Sequence, residues 1–159
     1  MSHEQQRSAV EVFQRFLEAS VNNDWDAVAD SYAEDVVVEI PFAPPGVPVA
    51  TRGREVLRAR FHGAAGIRRF TGSSDVVITR SDDPEVIFAE YQLLGAAVAT
   101  GKAFASRYVM RLTVRDGLIV HSRDYSNPIA TAVALDRVPE LLAALTNNQG
   151  SQGGQGDQG

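Results

Sequence analysis

The alternation of apolar and polar residues is clearest over residues 106–128, where it predicts two long strands. An Asp-Gly pair at 116–117 separates them, and both central positions of a tight hairpin turn favour the positive φ that this pair tolerates. The first strand has an apolar face of Tyr108, Met110, Leu112 and Val114 and a polar face of Arg107, Arg111, Thr113 and Arg115. In the second strand, one parity holds Leu118, Val120, Ser122, Asp124 and Ser126. This change from apolar to polar predicts a strand that runs from a core into a pocket.

The remaining pattern divides the chain into short helices and long strands. Apolar spacings of three and four predict helices over 4–22, 25–33 and 53–62, with Val56, Leu57 and Phe61 facing inward from the third and its arginines facing outward. Strands are predicted over 35–42, 70–80, 85–98 and 103–115, and prolines follow the first of them. Asn127 and Pro128 open a helical segment, and a last short helix ends at Leu145.

This order of elements predicts an α+β fold in which a strongly curved antiparallel sheet wraps against helices on one side. Short helices cannot fill such a sheet, so we expect a cone with an apolar pocket at its open end. One domain is predicted over 1–145. The Gly- and Gln-rich tail over 146–159 has no apolar residue to bury and is expected to be disordered.

Composition excludes several classes of function. The chain has 159 residues and a net charge of -5, which argues against nucleic acid as a partner, and the arginines over 52–69 are expected to form a solvated face. Without cysteine there is no disulfide framework or zinc-thiolate site. The polar N-terminus and the lack of a long apolar run indicate a soluble cytoplasmic protein without a membrane segment. The three histidines lack metal-ligand spacing, so no metal is expected, and a G-x-G-x-x-G match in the tail has no strand or helix around it.

Carboxylates on strands with apolar neighbours are the remaining candidates for chemistry. Asp124, Glu39 and Glu90 have such neighbours, and partial burial would raise the pKa of such an acid toward the range of a proton shuttle. Two alternatives stay open. Asp124 could pair with Arg123 or Arg107, and Glu39 could lie on the solvent face.

Two segments, FQRFLEASVNNDWDAVADSYAEDVVVEIPFAPP and GLIVHSRDYSNP, together with the order of elements, resemble the SnoaL-like group of the nuclear transport factor 2 (NTF2)-like superfamily. The resemblance covers residues 4–145 and implies the cone-shaped, cystatin-like α+β barrel of that superfamily. Polyketide cyclases, ketosteroid isomerases and limonene epoxide hydrolases share this fold, so the resemblance alone does not select a reaction.

Some functional residues of these related enzymes have a counterpart in this sequence, and others do not. The ketosteroid isomerase base falls at Ile40, and the two oxyanion groups of that enzyme fall at Phe16 and near Met110, so all three roles are lost. The limonene epoxide hydrolase R-D-Y segment matches Arg123 to Tyr125 and places its water-activating acid at Asp124. Its water-holding Asn falls at Glu39, and its Arg-x-Asp pair falls near Glu90 and Gln92, which do not match it.

A third resemblance covers SRDYSNPIATAVALDRVPEL, which is similar to the end of the phenazine-biosynthesis A/B proteins. Their acidic residue falls on Asp124, whereas their catalytic histidine has only Arg60 nearby and His62 two positions away. Two subfamilies therefore indicate Asp124.

We therefore predict an enzyme of small-molecule, secondary metabolism that performs cyclisation, isomerisation, condensation or epoxide opening on an apolar or polyketide-like substrate, with Asp124 as general acid/base and Glu39 as a second polar group. No cofactor is required. Gln92, Tyr108 and Ser122 are expected to orient the substrate between apolar walls formed by Phe16, Phe42, Phe61 and Met110. The alternative is a noncatalytic ligand-binding or dimerisation module. A homodimer is expected through the convex sheet face, which by parity holds Val109, Ile119, His121, Arg123 and Tyr125.

Overall fold

The computed structural model describes residues 6–150, and these form an α+β fold of five helices and one six-stranded sheet. The helices are α1 (Ala9–Val21), α2 (Trp25–Asp30), α3 (Arg54–Ala65), α4 (Pro128–Ala134) and α5 (Val138–Gly150). The strands are β1 (Tyr32–Glu39), β2 (Ala50–Arg52), β3 (Arg68–Arg80), β4 (Val86–Ala97), β5 (Ala103–Arg115) and β6 (Leu118–Ser126).

Side-chain caps set the ends of the first two helices. Ser8 and Glu11 form a capping box, so α1 begins at Ala9 and not at residue 4 as predicted. Asp24 caps α2, which ends before the predicted residue 33. Tyr32 is buried as predicted, but it begins β1. Therefore β1 begins and ends three residues before its predicted bounds.

The sheet order is β2-β1-β6-β5-β4-β3, and its two edge strands do not pair, so the cone stays open. All neighbouring pairs are antiparallel except β1 and β6, which run parallel, so the sheet is mixed and not wholly antiparallel as predicted. The register of β3 against β4 shifts twice, between Phe70 and Gly72 and again between Ser74 and Val77. Such bulges bend a strand and increase its twist, which curves the sheet around the helices.

The predicted hairpin is confirmed, with one change in register. Asp116 and Gly117 have φ values of 53° and 74°, as a type I′ turn requires. Just beyond the turn, Val120 has no partner in either neighbouring strand, and this bulge reverses the parity at the start of β6. Ile119, predicted on the convex face, is therefore fully buried. Beyond the bulge, Ser122 faces inward as predicted.

The hydrophobic core lies between α1, α2, α3 and the concave face of the sheet. On α3, Leu57 is buried and Phe61 packs against the core, whereas Val56 is 57% exposed and was wrongly predicted to face inward. None of the helices within residues 6–150 is long and apolar enough to cross a membrane. Helix α5 continues to Gly150, five residues past the predicted domain end at 145, and the rest of the predicted tail lies outside the described residues.

Candidate active site

The concave face of the sheet and the first three helices line a partly open cavity of about 380 Å³. Most of its walls are apolar or aromatic, and they include Phe16, Trp25, Val28, Tyr32, Val38, Ile40, Leu57, Phe61, Phe70, Tyr91, Leu93, Tyr108 and Met110. A wider groove of about 470 Å³ runs along the outside of α1 and α2, but its acids Glu18, Asp24 and Asp30 are exposed to solvent. The apolar cavity under the sheet is therefore the candidate site.

Asp124 is the carboxylate that lines this cavity in the described part of the chain. It lies on β6 opposite Met110 of β5, and the Ser122 hydroxyl donates a hydrogen bond to its Oδ1. Burial raises the pKa of Asp124 from 3.8 to about 6, although the Ser122 hydrogen bond and the charges of Arg60 and His121 lower it. Near neutral pH this carboxyl can therefore both accept and donate a proton.

Two buried tyrosines lie on the same wall. The pKa values of Tyr32 and Tyr91 are raised well above 10, first by burial and then by the negative charge of Asp124. The Tyr91 hydroxyl donates to the sulfur of Met110 at 2.9 Å, and its ring stacks on Tyr108 at 5.4 Å. Both phenols stay neutral at physiological pH and can act as hydrogen-bond donors, and a thioether is a weak acceptor that a substrate oxygen could replace.

Two arginines also line the cavity, although the sequence predicted that they would be solvated. Arg60 lies on α3, where its guanidinium donates to the Thr51 hydroxyl at 3.1 Å. Arg68 begins β3 and lies over the ring of Phe70 at 5.4 Å. The cavity is therefore apolar with a small set of charged groups.

Glu39, the predicted second polar group, lies on the opposite face of the sheet. Val36 and Val38 of β1 face the core, so the intervening parity turns Glu39 outward. There it accepts hydrogen bonds from Arg123 at 2.9 Å and shares one with His121 at 2.7 Å. The structure thus corrects the expected placement, because Glu39 and Asp124 do not share a cavity.

Other sequence candidates divide between the two faces. Phe16, Phe61, Met110 and Tyr108 line the cavity as predicted. Ser122, which was predicted to orient the substrate, is fully buried and does not line the cavity, but its hydroxyl contacts Asp124. Gln92 does not line the cavity, because it lies on the outward parity of β4, where it accepts a hydrogen bond from Ser74.

Two further candidates also lie away from the cavity. Glu90 is exposed on the outward parity of β4, between Val77 and Val109 of the neighbouring strands. Phe42 follows β1, is 62% exposed and packs edge-on against Tyr125, so it forms no cavity wall.

Sequence reasoning missed Tyr32, Tyr91, Arg60 and Arg68. The signal for Tyr91 was present, because an exposed Glu90 in an alternating strand places its neighbour on the core face. Arg60 gave no such signal, since it lies on a helix whose other arginines, Arg54 and Arg58, form ion pairs on the surface. Among residues 6–150, no three His, Asp or Glu side chains are grouped so that they could hold a metal ion.

An NTF2-like protein of Burkholderia xenovorans shares this fold. The SnoaL-like domain family matches residues 13–122, and the chain belongs to that family. An uncharacterised PhzA/B-like protein of Pseudomonas aeruginosa is 32% identical over 133 residues, which cover 82% of this chain and 92% of that protein. The resemblance inferred from the sequence is confirmed.

Solved structures agree with this assignment. A Bacillus subtilis protein named "Putative Isomerase" is 26% identical with a TM-score of 0.77, and the match covers 86% of this chain and 97% of that one. A "putative polyketide cyclase" of Xanthomonas campestris is 25% identical with a TM-score of 0.69, covering 84% and 99%. An LEH-like epoxide hydrolase of Mycobacterium tuberculosis, 22% identical with a TM-score of 0.58 over 85% and 94%, shares the fold.

Proposed function

We propose that this protein is an enzyme of small-molecule, secondary metabolism that moves a proton on an apolar or polyketide-like substrate, with Asp124 as the general acid/base. One observation carries the proposal. Asp124 borders an apolar cavity and has a pKa of about 6, so both of its protonation states are present near neutral pH. Such a pKa lets one group take a proton and give it back.

The geometry supports proton transfer next to a carbonyl group. The Asp124 carboxylate would take a proton from the carbon beside the carbonyl, and the electron pair of that C–H bond would form an enolate. A neutral phenol, Tyr91 or Tyr32, would donate a hydrogen bond to the enolate oxygen. The Asp124 carboxylic acid would then return the proton to a different carbon. Alternatively, the enolate carbon would attack a second carbonyl within the substrate, and the Asp124 carboxylic acid would protonate the alkoxide that this forms.

Isomerisation, cyclisation or condensation fits the cavity better than epoxide opening. In the described residues Asp124 is the single carboxylate on the cavity wall, and Glu90 and Gln92, near which the epoxide hydrolase pair falls, face outward. A mechanism that needs a second acid to protonate an epoxide has none there. The names of the relatives, a PhzA/B-like protein, an isomerase and a polyketide cyclase, support the same group of reactions.

Exchange of hydrogen for deuterium tests the proposal without knowledge of the substrate. Cyclic ketones and β-keto esters that fit the cavity are incubated with the protein in D₂O, and deuteration beside the carbonyl is followed by NMR. We expect the wild type to accelerate exchange for at least one of these compounds. Asp124→Asn should lower the rate by about 100-fold or more while remaining folded.

Glu90→Gln is the matched control, because it also removes a strand carboxylate but from the exposed outer face. It should exchange at the wild-type rate. If Asp124→Asn keeps full activity, the acid/base assignment is wrong. If the wild type binds these compounds but never exchanges them, the noncatalytic ligand-binding alternative is correct.

A further inference from the structure

The charged groups of the cavity are unequal in number. Arg60 and Arg68 bring two positive charges to its wall, whereas Asp124 brings one negative charge when ionised. Both arginines come from adjoining parts of the fold, α3 and the start of β3, and Asp124 comes from β6. An apolar cavity in a chain of net charge -5 thus has a positive lining.

Neither cavity arginine forms an ion pair with an acid within the described residues, although the charge of Arg60 acts on Asp124. Arg60 donates to the neutral Thr51 hydroxyl, and Arg68 lies over an aromatic ring. Some arginines on the outside of the fold do form ion pairs. Arg58 pairs with Asp26, Asp30 and Glu55, and Arg123 pairs with Glu39.

An unpaired guanidinium beside an apolar cavity favours an anionic ligand. Arginine remains charged at any physiological pH, and part of its hydration is lost where the side chain is half-buried, as both of these are. The carboxylate of a ligand would restore strong, charge-assisted hydrogen bonds to the guanidinium groups.

We propose that the substrate carries a carboxylate, which Arg60 and Arg68 bind while its apolar body extends toward Asp124. This inference rests on the proposed function and narrows its substrate class to apolar keto acids. The arginines would orient the reacting carbon toward β6, and they would also favour the enolate by their positive charge. A neutral ester or ketone of the same shape would bind more weakly.

A pair of ligands that differ in one group tests the inference by binding alone. Titration calorimetry at pH 7.5 compares 2-naphthoate with 2-naphthamide, which has the same rings and nearly the same shape without the charge. We expect the wild type to bind naphthoate roughly tenfold more tightly. Arg60→Gln and Arg68→Gln should each reduce this preference, and the double variant should lose it.

Two further variants sharpen the design. Arg111→Gln removes an arginine that faces outward from β5 and should keep the preference. Asp124→Asn should bind naphthoate more tightly than the wild type, because it removes a negative charge from the same cavity. That variant also separates the two proposals, since it is expected to lose exchange activity and retain anion binding.

The comparison of the two ligands in the wild-type protein is valid whether or not any variant folds. Equal affinity for the two ligands, or no binding of naphthoate, would overturn the inference even if Asp124 proves catalytic. A preference that survives in the folded double variant would overturn it as well. Tight naphthoate binding without any deuterium exchange would keep the anion site and reject the proposed catalysis.

Discussion

Asp124 and Glu39 are two carboxylates on adjacent strands of the same sheet, and their environments shift their pKa values in opposite directions. Asp124 faces the cavity, where burial raises its pKa to about 6. Glu39 faces outward, where hydrogen bonds from Arg123 and then His121 lower its pKa. Glu39 pairs in register with Arg123, one residue before Asp124. A step of one residue along a strand thus separates a group suited to proton transfer from one held as a surface ion pair.

The outer face gives the prediction with the largest effect, because we expect it to join two copies of the chain. A row of paired residues, Val77, Glu90, Val109 and Tyr125, crosses its centre. Val109 is 36% exposed, and Phe42 packs against Tyr125 beside it. A two-fold contact would cover this patch with the same patch of the partner. Light scattering at micromolar concentration should therefore show a dimer.

Val109→Glu or Tyr125→Asp should convert this dimer to a monomer, since each would place an unpaired charge in the contact. Val56→Glu is the control, because Val56 is an exposed valine on α3, away from the outer sheet face. It should leave the mass unchanged. A wild type that scatters as a monomer would refute the predicted interface.

The second prediction tests which side chain at the start of β6 is buried in the core. Ile119→Ala should lower the free energy of unfolding by about 2–5 kcal/mol, because Ile119 is fully buried. Val120→Ala should cost about 1 kcal/mol or less, because Val120 is the unpaired, half-buried residue of the bulge. Urea denaturation of both variants measures the difference. Equal losses would contradict the observed register.

The parts of the fold that could be predicted are those that local sequence features specify. The Asp-Gly turn fixed the β5–β6 hairpin, and the apolar pattern located β3, β4 and β5 to within two residues. The bulge at Val120 was not predictable, since no glycine or proline marks it. Nor was the parallel pairing of β1 with β6, because these strands are far apart in the sequence and only tertiary packing brings them together.

The site was predictable only in part for the same reason. Parity along β6 placed Ser122 and Asp124 inward, because the bulge lies before both of them. The apolar neighbours of Glu39 indicated a strand, but they did not indicate which face of the sheet its side chain occupies. Arg60 became a cavity residue through the angle at which α3 packs on the sheet, which a single sequence does not encode locally.

The third prediction concerns stability and pH. The folded state raises the pKa of Asp124 from 3.8 to about 6, so it binds this proton more tightly than the unfolded chain. The stability that results is present below about pH 4 and is lost as the pH rises through 6. Asp124→Asn cannot ionise, so at pH 8 it should be more stable than the wild type, by up to about 3 kcal/mol. Urea denaturation at pH 4 and pH 8 measures this difference.

A carboxyl titration by ¹³C NMR gives an independent check on the same group. Its resonance in the wild type should shift with a midpoint near pH 6 and be absent from the variant. A midpoint near 4 would show that the cavity does not desolvate Asp124, and it would remove the main support for its role in catalysis.

The smallest effect is expected for Glu39→Gln, and its sign is opposite. Because Arg123 and His121 lower the pKa of Glu39, the stability it contributes is present at neutral pH and is lost as the pH falls through that lowered pKa. Glu39→Gln should therefore melt slightly below the wild type at pH 7, and this difference should shrink in high salt, since the ion pair is open to solvent. Differential scanning calorimetry at pH 7 and pH 3 measures the change, with exchange activity as the second readout. A large loss of exchange activity in this folded variant would show that the outer cluster acts through the strand on Asp124, and that the two faces are not independent.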